Sequence, residues 1–415
     1  MRKSKFYLAL GVSTLMYSLG IMQSCHTDDN HGVESFYVAT SDYTLGTLSN
    51  VKESKIMKYK MLDVNNQMSD ATALLFFPKG EMPKDGYRVV VWQHGTVGVG
   101  DDCAPSNNPL NANFSTTAEL LLAKGYVILA PDYEGLGTKG IHPYLNSNSE
   151  ANSVFYAVKA LKEKFKNKIQ GDWFSLGQSQ GGQSSIAVAE RGNNDSYFKG
   201  AVAAAPASNL GHIILNVAPV ALQNLDNQEA SYNVPLAQRN SISSYATLLA
   251  YAAFAGSGIQ SYNPSYDFTN LFEERSKPYA RLVVGSNGED GLCLDPTRNE
   301  IKADIIRFLE EDSSRNLMDY PGLNTTIFAN DPVLKHFLED NEIGIRKIDK
   351  PLLIIQGSAD TNVPAVVTQQ LYTNLVNLGS PNVELLIAQG QSHTGAIISK
   401  NAELVAFIER FMPAK

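Results

Sequence analysis

Between Ala71 and Phe411, short apolar or β-branched runs alternate with stretches whose apolar residues recur every three to four positions. This rhythm constrains the fold most, because period two marks strands and period 3.6 marks helices. Strands are predicted at Ala71–Pro78, Arg88–Trp92, Tyr126–Ala130, Trp173–Leu176, Ala201–Ala205, Leu352–Ile355 and Val383–Ile387. Helices are predicted at Thr116–Lys124, Glu150–Lys166, Gly181–Arg191, Ala365–Leu378 and Ala396–Phe411. Parallel neighbours need crossover connections, so the alternation implies an α/β architecture, a mostly parallel sheet with helices on both faces. The rhythm breaks over the 142 residues 209–350, which read as helices and loops and include the apolar stretch Tyr245–Phe254. They are expected to form a helical cap inserted between the late strands, over the sheet's carboxyl edge.

Chemistry enters at Gly177-Gln178-Ser179-Gln180-Gly181, a Gly-x-Ser-x-Gly motif preceded by the run Trp173-Phe174-Ser175-Leu176 and followed by Gly182 and small residues. Strand, serine and helix in that order describe a nucleophile elbow, where a tight turn strains the serine and glycines let strand and helix approach. A Gly-rich turn with a surface serine is the plainer alternative. A serine hydroxyl needs a base to take its proton and a carboxylate to orient that base. Asp360 follows the run Leu352–Ile355 in Gln356-Gly357-Ser358-Ala359-Asp360, and His393 follows Val383–Ile387 before the last helical stretch. His393 is the only histidine after Asp360. The rival acid, Asp349, precedes its strand and so falls at the wrong end of the sheet; Asp360 as a mere helix cap near Pro364 is the other alternative. An oxyanion hole requires two donors. The backbone N–H of Gln180 is one; the second is assigned to Thr96 in Trp92-Gln93-His94-Gly95-Thr96, with Gly95 as the rival and His94 as a brace for the loop.

The segments Trp92–Thr96, Cys103-Ala104-Pro105-Ser106, Asp132-Tyr133-Glu134-Gly135-Leu136-Gly137, His142-Pro143-Tyr144 and Gly177–Gly182 occur in an order similar to that of secretory lipases. The chain resembles bacterial members of that family, which are related to fungal lipase A-type enzymes. The likeness covers about residues 88–208 and the surroundings of Asp360 and His393. It implies the α/β-hydrolase fold, hydrolysis of carboxylic esters beneath a helical lid, and a triad of Ser179, Asp360 and His393. It also implies that the Asp132–Gly137 loop walls the site, with a simple Gly-rich turn as the alternative.

Residues 1–24 open with Arg2, Lys3 and Lys5, continue as the mostly apolar Phe6–Met22 and end at Ser24, the layout of a secretion signal. Ile21-Met22-Gln23-Ser24-Cys25 resembles a bacterial lipobox, which makes Cys25 the expected lipidation site, with an uncleaved anchor or ordinary signal peptide as the alternative. Residues 25–35 then read as a polar tether, 36–208 and 351–415 as the two parts of the core, and 209–350 as the cap. The expected location is the cell envelope, as an outer-membrane lipoprotein held by the lipid on Cys25; the acidic residues after Cys25 resemble surface-export signals. After residue 24 no apolar run is expected to cross a bilayer. An oxidising compartment permits Cys103 and Cys293 to pair, against two buried thiols.

The net charge of -8 offers no basic stripe for phosphates, which excludes nucleic acid as a partner. No His/Cys cluster has zinc spacing, triad chemistry needs no cofactor, and no protein partner is implied. The expected substrate is a small-molecule or lipid ester, with Leu249, Tyr251 and Phe254 as lining for an acyl tunnel or simply as core. Two alternatives stay open. A serine peptidase on the same fold would use cap acids such as Glu273, Glu274, Glu289 and Asp290 to hold a peptide amino terminus, and a catalytically silent binding protein would lack a triad member.

Overall fold

The computed structural model describes residues 35–414. The signal segment, Cys25 and nearly all of the tether lie outside the described residues. Among the described residues there are nine strands: β1 (Tyr37–Asp42), β2 (Val51–Leu62), β3 (Met68–Pro78), β4 (Tyr87–Gln93), β5 (Val127–Pro131), β6 (Ile169–Gln178), β7 (Phe198–Ala204), β8 (Leu352–Gly357) and β9 (Val383–Ala388). They form one sheet in the order β1-β2-β3-β5-β4-β6-β7-β8-β9. The pairings from β1 to β5 are antiparallel and those from β5 across β4 to β9 are parallel. Every strand predicted from the sequence is found, with no end moved by more than four residues.

Two strands went unpredicted. β2 carries Lys52, Lys55, Lys58 and Lys60, and this charge hides the alternate positions Met57, Tyr59 and Met61, which are fully buried. β1 is a largely exposed edge strand, where low apolar content is usual.

The parallel strands face protein on both sides, and neighbouring residues divide between two cores. Val89 and Val91 of β4 join the core beneath helices Ser147–Lys164, Gln180–Arg191 and Ala365–Asn377. Val90 and Trp92 join the core beneath Ala112–Lys124 and Asn401–Phe411. The last helical stretch is not continuous as expected: the chain leaves helical dihedrals at Lys400 (φ -116°, ψ 15°), separating Gly395–Ser399 from Asn401–Phe411.

Between β7 and β8 the described chain is helical, apart from one isolated bridge from Phe272 to Leu323. A third core fills this cap and centres on helix Asn240–Gln260. That helix corrects the expectation of no further membrane-length apolar run: at 21 residues and mean hydropathy 1.2 it passes by length and composition. Its apolar window is 67% buried among the other cap elements, as a core helix would be. Cys103, in the loop after β4, is disulfide-bonded to Cys293 in the cap.

Candidate active site

Ser179 stands between β6 and helix Gln180–Arg191, with φ 59° and ψ -117°. Such dihedrals in a residue with a Cβ cost about 1–3 kcal/mol and persist only where the surroundings impose them. Here the Ser179 N–H donates to Ala204 O at 2.8 Å, while Ser179 O accepts from Gln183 N at 3.0 Å and Ala207 N at 3.3 Å. The motif's glycines are sterically required. A Cβ on Gly181 would lie 1.9 Å from Gln93 O, and one on Gly177 would lie 2.0 Å from Gly181 O. The turn therefore presents Ser179 at the carboxyl end of the central strand.

The loops after β8 and β9 meet it there. His393 Nε2 lies 2.8 Å from Ser179 Oγ, and His393 Nδ1 lies 2.8 Å from Asp360 Oδ2. The Asp360 side chain is fully buried, and His393 is nearly so. Asp360 Oδ1 accepts from the N–H groups of Asn362 and Val363, each at 2.9 Å, and Oδ2 also accepts from Gln356 Nε2 at 2.9 Å. With His393 Nδ1, four donors converge on this one carboxylate. Asp349, the rival acid, is exposed and paired with Lys347 at 2.7 Å.

The loop after β4 passes beside the serine: a Cβ on Gly95 would sit 3.4 Å from Ser179 Cβ. Among the described residues, neither the Thr96 N–H nor the Gln180 N–H donates to a protein acceptor. Gln180 opens a helix, where the dipole favours negative charge. Both ring nitrogens of His94 face carbonyls, Gly95 O at 2.7 Å and Asp132 O at 3.1 Å, so this ring braces the loop, while burial lowers its pKa. The Asp132–Gly137 loop lies behind that brace. Tyr133 packs on the His94 ring at 4.3 Å and donates to His94 O at 3.1 Å.

Known structures give this arrangement a context. The chain superposes on the rice cell wall degrading esterase LipA of Xanthomonas oryzae with TM-score 0.63 and 17% identity, covering 90% of this chain and 97% of that one. A Legionella pneumophila chain matches with TM-score 0.63 and 18% identity, covering 90% and 98%. Candida antarctica lipase A in its closed state matches with TM-score 0.61 and 14% identity, covering 90% and 81%. The chain has the α/β-hydrolase fold. Residues 335–414 also match the prolyl oligopeptidase family, a stretch that holds Asp360 and His393 but not Ser179. A comparison with curated proteins finds no match.

A pocket of about 660 Å³, part of it open to solvent, is lined by Ser179 and by residues of the cap. Helix Asn240–Gln260 lends it Leu248, Tyr251, Ala252 and Ala255, spacings of three and four that share one helix face. Of the three lining candidates only Tyr251 lies there; Leu249 and Phe254 are buried in the cap core, Phe254 with its ring 5.8 Å from Tyr144. The acids considered for a peptide terminus are absent from the pocket wall. Glu274 pairs with Lys277, Glu289 accepts from Gly140 N at 3.0 Å, and Asp290 accepts from Ser286 N at 2.7 Å. Among the described residues no group of three His, Cys, Asp or Glu could hold a metal.

Several side chains that support the site escaped the sequence reading. Gln356 donates to Asp360 and to Val363 O, and accepts from Thr368, which locks the acid's loop. Its signal was a polar residue ending an apolar strand. Gln178 donates to His393 O at 3.4 Å. The Gln180 side chain is held by a buried relay: its Nε2 donates to Glu150 Oε1 at 2.9 Å and to His142 Nε2 at 3.1 Å. His142 Nδ1 in turn donates to Glu134 O at 2.8 Å. That pattern needs a neutral imidazole, and burial does push the His142 pKa down to about 3. Burial likewise raises the carboxyls of Glu150 to about 8, Glu134 to about 7 and Asp132 to about 6.

Proposed function

We propose that the chain is a serine hydrolase of carboxylic esters, an esterase or lipase. In this reading Ser179 Oγ attacks the ester carbonyl as His393 Nε2 takes its proton, and the N–H groups of Gln180 and Thr96 hold the resulting oxyanion. The C–O bond to the alcohol breaks, and His393 gives the proton to the departing alkoxide. Water, deprotonated by the same imidazole, then hydrolyses the acyl-enzyme on Ser179. Asp360 keeps Nδ1 protonated and faces the imidazolium formed in each step. The observation that carries the reading is the unbroken chain from Ser179 Oγ through His393 to Asp360, with 2.8 Å at each link.

The apolar pocket beside Ser179 supports an ester substrate. The match of residues 335–414 to the prolyl oligopeptidase family supports a peptidase as the second reading. Turnover of p-nitrophenyl acyl esters of graded length, set against aminoacyl arylamides, separates the two: faster arylamide cleavage would reverse the ranking. We further propose that the enzyme is exported and tethered to the envelope membrane through Cys25. Processing that is insensitive to globomycin would remove the tether.

A further inference from the structure

A second, smaller cavity of about 230 Å³ adjoins the pocket, sharing Leu145, Ala207, Leu210, Phe337 and Leu338 with it. Its wall differs in kind, because Gln183, Ser208, Asn341 and Glu342 contribute to it. Two of these are already engaged. Asn341 Oδ1 accepts from Ser147 N at 2.8 Å and its Nδ2 donates to Phe337 O at 2.8 Å, while both oxygens of Glu342 accept from Asn209 N at 3.0 Å.

The other two each keep one oxygen unpaired. Gln183 Nε2 donates to Asn341 O at 3.0 Å and to Leu145 O at 3.4 Å, but Gln183 Oε1 and Ser208 Oγ have no partner within the protein. Gln183 is 1% exposed and Ser208 3% exposed, so bulk water does not reach them. Leaving buried polar atoms unpaired is costly, and in native proteins such atoms usually have a stated role. Both sit close to the reaction centre. Gln183 is one helical turn beyond Ser179, its N–H donating to Ser179 O, and Ser208 follows Ala207, whose N–H donates to the same oxygen.

We infer that the annex binds a hydroxyl group carried by the acyl arm of the substrate, so that the preferred esters are those of hydroxylated acyl chains. This rests on the hydrolase reading above. The chemistry of the two free atoms selects the group: Gln183 Oε1 can only accept, and Ser208 Oγ can accept or donate. A hydroxyl donates once and accepts, which suits both atoms together, whereas a carboxylate would face Gln183 Oε1 with no proton to offer. The acyl arm is assigned because it stays bonded to Ser179, which lines the adjoining pocket, while the alcohol must leave.

The test compares p-nitrophenyl esters of matched length with and without a hydroxyl on the acyl chain, in wild type and in Ser208→Ala. One neutral hydrogen bond predicts a preference of roughly two- to tenfold in kcat/KM for the hydroxylated member in wild type. The ratio should fall toward one in Ser208→Ala. Equal turnover of both members in wild type, or a preference that survives in Ser208→Ala, would overturn the inference while leaving the hydrolase reading intact. A preference that appears only when the hydroxyl is moved to the alcohol arm would also overturn it. No turnover of any ester would instead remove the reading on which it rests.

Discussion

Replacing Glu150 by Gln should stabilise the protein increasingly as pH rises. Glu150 is fully buried, and its Oε1 accepts from Gln180 Nε2 at 2.9 Å and Leu145 N at 3.2 Å, two bonds that a glutamine oxygen can keep. No cation lies among its partners, and burial lifts its pKa from the ordinary 4.5 to about 8. Between those values the native protein holds a proton that the unfolded chain has released. By linkage, stability must then fall as pH rises through this window. At about 1.36 kcal/mol per pH unit the full interval corresponds to about 5 kcal/mol. Water entry and side-chain relaxation around an ionised Glu150 absorb part of this, which leaves on the order of 2 kcal/mol. Gln cannot ionise, so any constant effect of the swap cancels in the pH slope. Thermal melts of both proteins from pH 5 to 8.5 at fixed ionic strength should show the variant gaining on wild type by a few degrees across the range. A difference that stays flat, or that turns against the variant at high pH, would refute the burial argument.

Other consequences follow from the same geometry. Asp360→Asn keeps the size of the side chain but removes the charge facing His393, and should lower kcat about 10⁴-fold with little loss of fold; steady-state ester kinetics checks this, and a variant as active as wild type would contradict Asp360 as the orienting acid. Gly181→Ala puts a Cβ 1.9 Å from Gln93 O and 2.7 Å from His94 O, both backbone atoms that cannot move aside. Insoluble expression or a large drop in Tm is expected. Removing the Cys103–Cys293 bond, which spans 190 residues, should cost about 3–5 kcal/mol through the entropy of the unfolded chain. Melts of Cys103→Ala/Cys293→Ala with and without reductant would show it, and reductant should shift only the wild type.

The inner parallel strands were legible because they are buried on both faces and therefore read as largely apolar runs. Ser179, Asp360 and His393 were legible for a related reason: each follows such a run, so chain order alone places them at one edge. β2 was not, since its lysines mask the alternation of Met57, Tyr59 and Met61. The pocket wall was only partly legible. Asn240–Gln260 is apolar on nearly every side, and a helix without a polar face gives no sign of which stripe meets the ligand. Leu248 and Ala252 were missed on that account. Glu150 and His142 bond to Gln180, 30 and 38 residues away, and nothing in their local pattern reports the contact. The cap acids raised the opposite problem: their composition suggested a peptide site, yet none of the four lines the pocket.

Fluorophosphonate labelling tests the central claim most directly. The reagent should modify the wild-type protein once, with peptide mapping placing the adduct on Ser179, and folded Ser179→Ala should not react. A wild-type protein that resists the probe, or an alanine variant that still takes it up, would contradict the assignment of Ser179 as the nucleophile.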